Sequence, residues 1–187
     1  HMDGVVAPSQ RVTESLRRYG VKIPIRVIPT GIDITAYDQD YSEQVVQLRQ
    51  QLGYTEQTPV IMTLSRLASE KRIDQVLSVF PDLQKQLPDL RFLIVGDGPE
   101  RAELEEQVVD LGIDAAVTFV GEVKHEQIAP YYQLANLFVS SSDTESQGLT
   151  YIEAMAAGLK CVVRSGEYTD SVFDDPDIGT TFRDLPE

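Results

Sequence analysis

The chain has 187 residues, a length typical of one domain and sufficient to bury a core without disulfides or metals. Its 30 acidic and 16 basic residues give a formal net charge of −14, which argues against nucleic-acid binding and against this segment alone holding an anionic membrane surface. A single cysteine excludes a disulfide framework and favours a reducing, cytoplasmic compartment, and no apolar run approaches the roughly 18 residues of a membrane span. His1 and Met2 look like a cloning remnant, so residues 3–187 are interpreted as one domain.

Apolar runs of strand length alternate along the chain with runs of helical period. In chain order they predict a strand at 26–32, a helix at 42–53, a strand at 59–65, a helix at 72–88 interrupted at Pro81, a strand at 91–96, a helix at 100–112, a strand at 116–121, a helix at 126–135, a strand at 136–142, a helix at 148–158 and a strand at 160–165. Ser42 is predicted to cap the first helix and Gly53 to end it. The less regular ends of the chain predict a lead-in and a tail.

This alternation predicts an α/β fold. Strands that are apolar throughout have both faces covered, so we expect a parallel sheet with helices on both sides and right-handed crossovers. Ligands of such folds bind beyond the carboxyl ends of the strands. The loops to inspect therefore follow strands, at 65–72, 96–100, 121–126 and 142–148.

The first of these loops includes the bases Arg66 and Lys71, in a chain with few bases. Arginine offers a forked donor and lysine a mobile point charge, a pair that suits a diphosphate. The alternative is that Lys71 and Arg72 are solvated charges beside Glu70.

The last of these loops leads into a helix between two carboxylates, Glu145 and Glu153. The first amides of that helix would be unpaired and would form an anion site where glycine allows close approach. Those amides belong to Gly148, Leu149 and Thr150. A phosphate there would leave Glu153 within reach of a vicinal diol and Glu145 facing another hydroxylated group, as in a nucleotide-sugar. The alternative is that both acids only complement the helix dipole.

The Glu-x7-Glu spacing with Gly148 inside it resembles the motif of glycosyltransferase family four, which has the GT-B fold. Further segments resemble that family in the family's order, at 7–33, 64–80, 93–112 and 117–123, and the resemblance covers nearly all of 3–183. The family implies two Rossmann-like domains, an N-terminal one for the acceptor and a C-terminal one for the nucleotide-sugar donor. This chain resembles only the C-terminal domain, one half of a GT-B fold, so we expect it to bind donor weakly and to transfer no sugar alone.

The resemblance also implies roles. Arg66 and Lys71 would bind the diphosphate and stabilise the leaving group, and Glu145 would contact the donor sugar at the reacting face. The remaining donor contacts would be the amides of Gly148, Leu149 and Thr150 for phosphate and sugar, Glu153 for the ribose and Val123 for the base. Transfer would retain the anomeric configuration and use no cofactor and no metal, since the family uses no DxD metal motif.

Two positions depart from the family pattern. Gln147 stands where the common motif has an aromatic residue, and Lys160 stands where many members have proline; we interpret Lys160 as structural. The stretch 145–154 instead resembles a bacterial branch that glucosylates diacylglycerol. That similarity implies a UDP-sugar donor, glucose as the sugar, and a membrane lipid as the acceptor, reached through the absent domain. It also implies that the full-length protein is peripheral on the inner membrane face. A polysaccharide or protein acceptor, or a non-catalytic nucleotide-sugar module, stays open.

Three other features predict structural roles. His125 lies at a polar helix start and is expected to be exposed, whereas Cys161 lies in an apolar strand and lacks the basic neighbour that a nucleophile needs. The turn at 96–99 lacks a complete dinucleotide fingerprint, which argues against a nicotinamide dehydrogenase. Gly96 and Gly98 are instead expected to allow close backbone approach.

Overall fold

The structure is a computed structural model that describes residues 2–173 and 175–183. Its helices are α1 Gln10–Arg18, α2 Ser42–Leu52, α3 Ile73–Gln86, α4 Arg101–Asp110, α5 Ala129–Leu134, α6 Leu149–Ala156 and α7 Glu167–Val172. Its strands are β1 Val5–Ala7, β2 Ile25–Val27, β3 Val60–Leu64, β4 Arg91–Val95, β5 Val117–Gly121, β6 Leu137–Ser140, β7 Lys160–Arg164 and β8 Gly179–Phe182. Within the described ranges, no helix is both long enough and apolar enough to cross a membrane.

The main sheet is parallel, with the strand order β5-β4-β3-β6-β7-β8. The chain winds from β3 to one edge and then returns to add β6 on the other side of β3. The strand order therefore reverses between β3 and β6, and a crevice forms beyond the carboxyl ends of these two strands. The predicted α/β fold with a parallel sheet is confirmed.

Side chains alternate across the sheet and build two cores. Val60 and Met62 of β3 face one cluster, which α5 and α6 cover with Tyr132 and Tyr151. Ile61 of the same strand faces the other cluster, which α3 and α4 cover. Because both faces are buried, these strands read as continuous apolar runs in the sequence, and that pattern made them predictable.

The N-terminal unit, which comprises β1, α1 and β2, forms a separate two-stranded parallel sheet. The sequence predicted only a lead-in and a short strand there. Its strands have three residues each, too short to show a period, and α1 has only two apolar residues, Val12 and Leu16, and buries none. The predicted tail likewise contains α7 and β8.

Two local predictions were wrong. Helix α3 continues through Pro81, because its buried side chains at Val76, Leu77 and Phe80 hold it against the sheet despite the lost amide donor. The cap of α2 lies at Tyr41 rather than Ser42, and the Asp40 carboxylate accepts the Ser42 amide at 2.9 Å. The predicted end of α2 is confirmed, since Gly53 closes it with a φ of +72°.

Candidate functional site

A cavity of about 660 Å³ lies at the crevice between β3 and β6. All four loops singled out in the sequence contribute to its wall, because parallel strands end at the same edge of the sheet. The lining residues that carry charge or a predicted role are Arg66, Lys71, Asp97, Glu122, Val123, Glu145, Leu149 and Thr150. The volume is that of a small-molecule site.

Lys71 and Glu145 face each other across this cavity. The Lys71 Nζ lies 3.6 Å from Glu145 Oε2, and the two side chains keep 24% and 19% of their accessible surface. Arg66 is exposed on the same wall. The structure thus brings the three residues expected to act at the diphosphate and the sugar to one cavity. The partly buried pair of Lys71 and Glu145 interacts more strongly than it would in bulk water.

Hydrogen bonds tie the loop that carries Lys71 to the loop after β6. Ser141 Oγ donates to the carbonyl of Lys71 at 3.2 Å and also to the carbonyl of Arg72. The Asp143 amide donates to the Glu70 carbonyl at 2.9 Å. Arg72 has a φ of +49°, a left-handed conformation rare for a residue with a side chain, and it pairs with Asp143 at 3.3 Å. These contacts fix the position of Lys71 opposite Glu145.

The amide of Gly148, which was expected to be unpaired, donates instead to a carboxylate of its own loop. Glu145 Oε1 receives the amide of Gly148 at 3.0 Å and that of Ser146 at 3.2 Å. Gly148 has a φ of +58° and immediately precedes α6, as predicted. The next two residues, Leu149 and Thr150, line the cavity, and the first amides of a helix have no carbonyl partner within it.

Glu153 does not belong to the cavity wall. It is 6% exposed, and its Oε2 accepts a hydrogen bond from the Tyr132 hydroxyl at 2.8 Å. Burial, and then the charge of Glu153, raise the pKa of Tyr132 well above its usual value, and the same causes raise the pKa of the neighbouring Tyr37. Glu153 lies one turn after Thr150, on the same side of α6. Its expected contact with a ribose stays a prediction.

The remaining sequence predictions concern Val123, His125, Cys161 and Lys160. Val123 lies on the wall, and His125 is exposed as expected. Cys161 is buried, and burial raises the pKa of its thiol to about 12, which disfavours a nucleophile. Lys160 lies at the exposed start of β7, where its Nζ is 3.9 Å from Asp177.

Gly96 and Gly98 make the close approach that was expected, but to the chain itself. A Cβ on Gly96 would lie 1.9 Å from the Ser65 carbonyl oxygen, and one on Gly98 would lie 2.3 Å from that of Leu67. Side chains at these positions would push the loops after β3 and β4 apart. The two glycines therefore shape the cavity floor through backbone packing.

Sequence reasoning missed two contributors to the site. Ser65 ends the predicted strand, yet it lines the cavity, and its buried hydroxyl has no hydrogen-bond partner among the described residues. The N-terminal unit also reaches the site, since Arg11 Nη1 donates to the Glu145 carbonyl at 2.8 Å. The basic character of Arg11 was visible in the sequence, but no pattern links residues so far apart.

Within residues 2–173 and 175–183, no group of three or more His, Cys, Asp or Glu residues is arranged to hold a metal ion. The expectation that no metal takes part stays a prediction.

Comparisons with known proteins agree on one family. A family model described as "Glycosyl transferases group 1" matches residues 45–183. An alpha-monoglucosyldiacylglycerol synthase from Streptococcus pneumoniae is 35% identical over 183 residues, which are 97% of this chain and 42% of that protein. The Anabaena protein Alr3699/HepE, solved with UDP and glucose, has a TM-score of 0.83 at 24% identity over 97% of this chain and 49% of its own. The pneumococcal O-GlcNAc transferase GtfA, solved with UDP and GlcNAc, has a TM-score of 0.76 at 25% identity over 98% of this chain and 34% of its own. The chain spans less than half the length of each of these proteins.

Proposed function

The chain belongs to the glycosyl transferases group 1 family, and we propose that it is the donor-binding part of a retaining glycosyltransferase that uses a UDP-sugar. The observation that carries this proposal is the meeting of Arg66, Lys71, Glu145 and the start of α6 around one cavity. Cations, free helix amides and a carboxylate together match the phosphates and hydroxyls of a nucleotide-sugar.

The diphosphate is held by the two bases and by the first amides of α6. In the reaction the bond from the anomeric carbon to the diphosphate breaks, and negative charge grows on the leaving oxygen. Lys71 and Arg66, both on the cavity wall, offset that charge in this proposal. Electrostatic stabilisation of this kind is usually the largest single contribution to catalysis. Protein cations thereby do the work that a metal does elsewhere, and the proposed enzyme needs no cofactor.

The two carboxylates bind different parts of the donor. Glu145 faces the sugar from the loop after β6, while Glu153 takes the ribose diol from one turn further along α6. A carboxylate has two oxygens and about four acceptor directions. Glu153 can therefore accept from a ribose and keep its bond from Tyr132. Val123, on the cavity wall, flanks the base.

We further propose that the sugar is glucose and the acceptor is diacylglycerol. The name of the pneumococcal synthase supports both assignments, and the UDP in the GtfA complex supports the base. The acceptor would bind to the part of the protein outside this chain, at the inner face of the membrane in the cytoplasm. A polysaccharide or protein acceptor is the alternative, because GtfA is named an O-GlcNAc transferase and not a glycolipid synthase.

Calorimetric titration of two variants tests the assignment of the carboxylates. Glu153→Ala should weaken UDP and UDP-glucose alike, because both contain the ribose. Glu145→Ala should weaken UDP-glucose and leave UDP unchanged or slightly tighter, because it releases Lys71 and the Gly148 amide from their present partner. Glu106→Ala, at an exposed position of α4, is the matched control and should change neither affinity. The reverse pattern for the two variants would refute the assignment.

A further inference from the structure

The Gln147 side chain connects the loop at the cavity to the N-terminal unit. Its Nε2 donates to the Pro8 carbonyl at 3.1 Å, and its Oε1 accepts from Thr30 Oγ at 2.9 Å. Pro8 directly follows β1, and Thr30 comes shortly after β2, so both partners lie at the carboxyl ends of the small sheet. The bond from Arg11 to the Glu145 carbonyl crosses the same boundary.

We propose that Gln147 is a positioning residue that fixes the sugar-binding loop at 143–148 against the N-terminal unit. A carboxamide has both a donor and an acceptor, and here each end meets a complementary partner. Rotation or withdrawal of this side chain therefore loses two hydrogen bonds at once. An aromatic side chain at this position could not make both bonds. The glutamine that stands here in place of the family's common aromatic residue therefore has a physical role.

The position of Gln147 explains why the sugar contacts would depend on it. The residue lies two positions after Glu145 and immediately before Gly148, in a loop without helix or strand. Besides the main-chain bond from Asp143 to Glu70, the described contacts of this loop with distant parts of the chain are made by side chains, and Gln147 supplies two of them. The inference rests on the proposed function, because it assigns Gln147 to the sugar end of the same donor site.

The nucleotide end of the site has separate support. The loop that carries Lys71 is tied to the loop after β4, where the Leu67 amide donates to the Asp97 carbonyl at 2.9 Å, and Val123 belongs to the loop after β5. Loss of the Gln147 anchor should therefore affect the sugar more than the nucleotide. A merely structural role for Gln147 would instead lower the thermal stability and leave the ratio of UDP-glucose to UDP affinity unchanged.

The test is a double-mutant cycle on this chain, with titration of UDP and UDP-glucose well below the melting temperature. Gln147→Met keeps the length and removes both bonds, so UDP-glucose should bind roughly tenfold more weakly, in line with two hydrogen bonds of modest net value. Thr30→Val should cost about twofold to fivefold, and the double variant should resemble Gln147→Met, because its Thr30 bond is already absent. UDP affinity should change by less than about twofold, since no UDP contact is removed.

The controls are Gln86→Met at the exposed end of α3 and Thr180→Val at an exposed position of β8. Both should leave the two affinities unchanged. Three results would overturn the role of Gln147 and leave the proposed function intact. They are equal losses for UDP and UDP-glucose, strictly additive losses in the cycle, and unchanged affinities in the variants of a chain that binds donor. Failure of the unmutated chain to bind either ligand would instead refute the proposed function and the positioning role together. Thr30→Val alters only an exposed hydroxyl, so it carries the test even if Gln147→Met folds poorly.

Discussion

Replacement of Gly148 by alanine should destabilise the fold and damage the site through two separable effects. The first is conformational, because the φ of +58° costs an L-residue about 1–2 kcal/mol. The second is steric, since a Cβ would lie 2.6 Å from Tyr168 Cε1 and 2.7 Å from Tyr151 Cδ2. Tyr151 packs in the core against Phe138 and Phe173, so it has little room to yield, and overpacking of this kind costs about 1–3 kcal/mol.

The summed expectation for Gly148→Ala is about 2–5 kcal/mol of lost unfolding free energy, a melting temperature lower by on the order of 10 °C in a chain of this size. Gly112→Ala is the matched control, because that glycine has a φ of +67° and no heavy atom within 4 Å of a Cβ. It should lose only the conformational part, about 1–2 kcal/mol.

Urea unfolding of the two variants at pH 7, followed by titration with UDP-glucose, measures both effects. Gly148→Ala should be the less stable protein and should bind UDP-glucose more weakly, because the rings displace the start of α6. Gly112→Ala should bind like the unmutated chain. Equal stability losses in the two variants would refute the reasoning that aromatic rings crowd Gly148.

Two further predictions concern charge. Lys71→Met should weaken the binding of both UDP and UDP-glucose by about tenfold, because a charge-assisted contact is lost. Lys85→Met, on the exposed face of α3, should change neither affinity. Equal affinities in the two variants would remove Lys71 from the site. Burial raises the pKa of Tyr132 and of Tyr151 above the usual 10.0, so the unfolded chain loses these protons at lower pH than the folded chain. The unfolding free energy should therefore be level below about pH 9. Above about pH 10 it should fall by up to about 1.4 kcal/mol per pH unit for each group. Urea midpoints between pH 8 and 11 should show a shallower fall in Tyr132→Phe, and an identical fall would contradict this assignment.

The sequence predicted the main sheet well, because strands buried on both faces read as apolar runs of the right length. It also predicted which loops form the cavity, and it indicated the family that the matching model and the pneumococcal relative support. The strand order itself, with its reversal between β3 and β6, depends on long-range packing that no local pattern records. Only the fold brings Lys71 within 3.6 Å of Glu145.

The features that sequence reasoning missed are those decided by distant partners. The Tyr132 hydroxyl meets Glu153 across 21 positions of sequence, and Gln147 meets Thr30 across 117. Local signals also failed at Pro81, where packing of the α3 face outweighs a helix-breaking residue. The N-terminal unit has short strands and a helix that buries no residue, so its sequence shows no apolar run that would indicate a buried element.

Titration of the unmutated chain with UDP in the presence of a chelator tests the central claim most directly, with GDP and NAD as comparison ligands. UDP should bind without metal and more tightly than GDP, and Glu153→Ala should weaken this binding. Binding of NAD in preference to UDP, or UDP binding that appears only when a divalent cation is added, would contradict the proposed donor site.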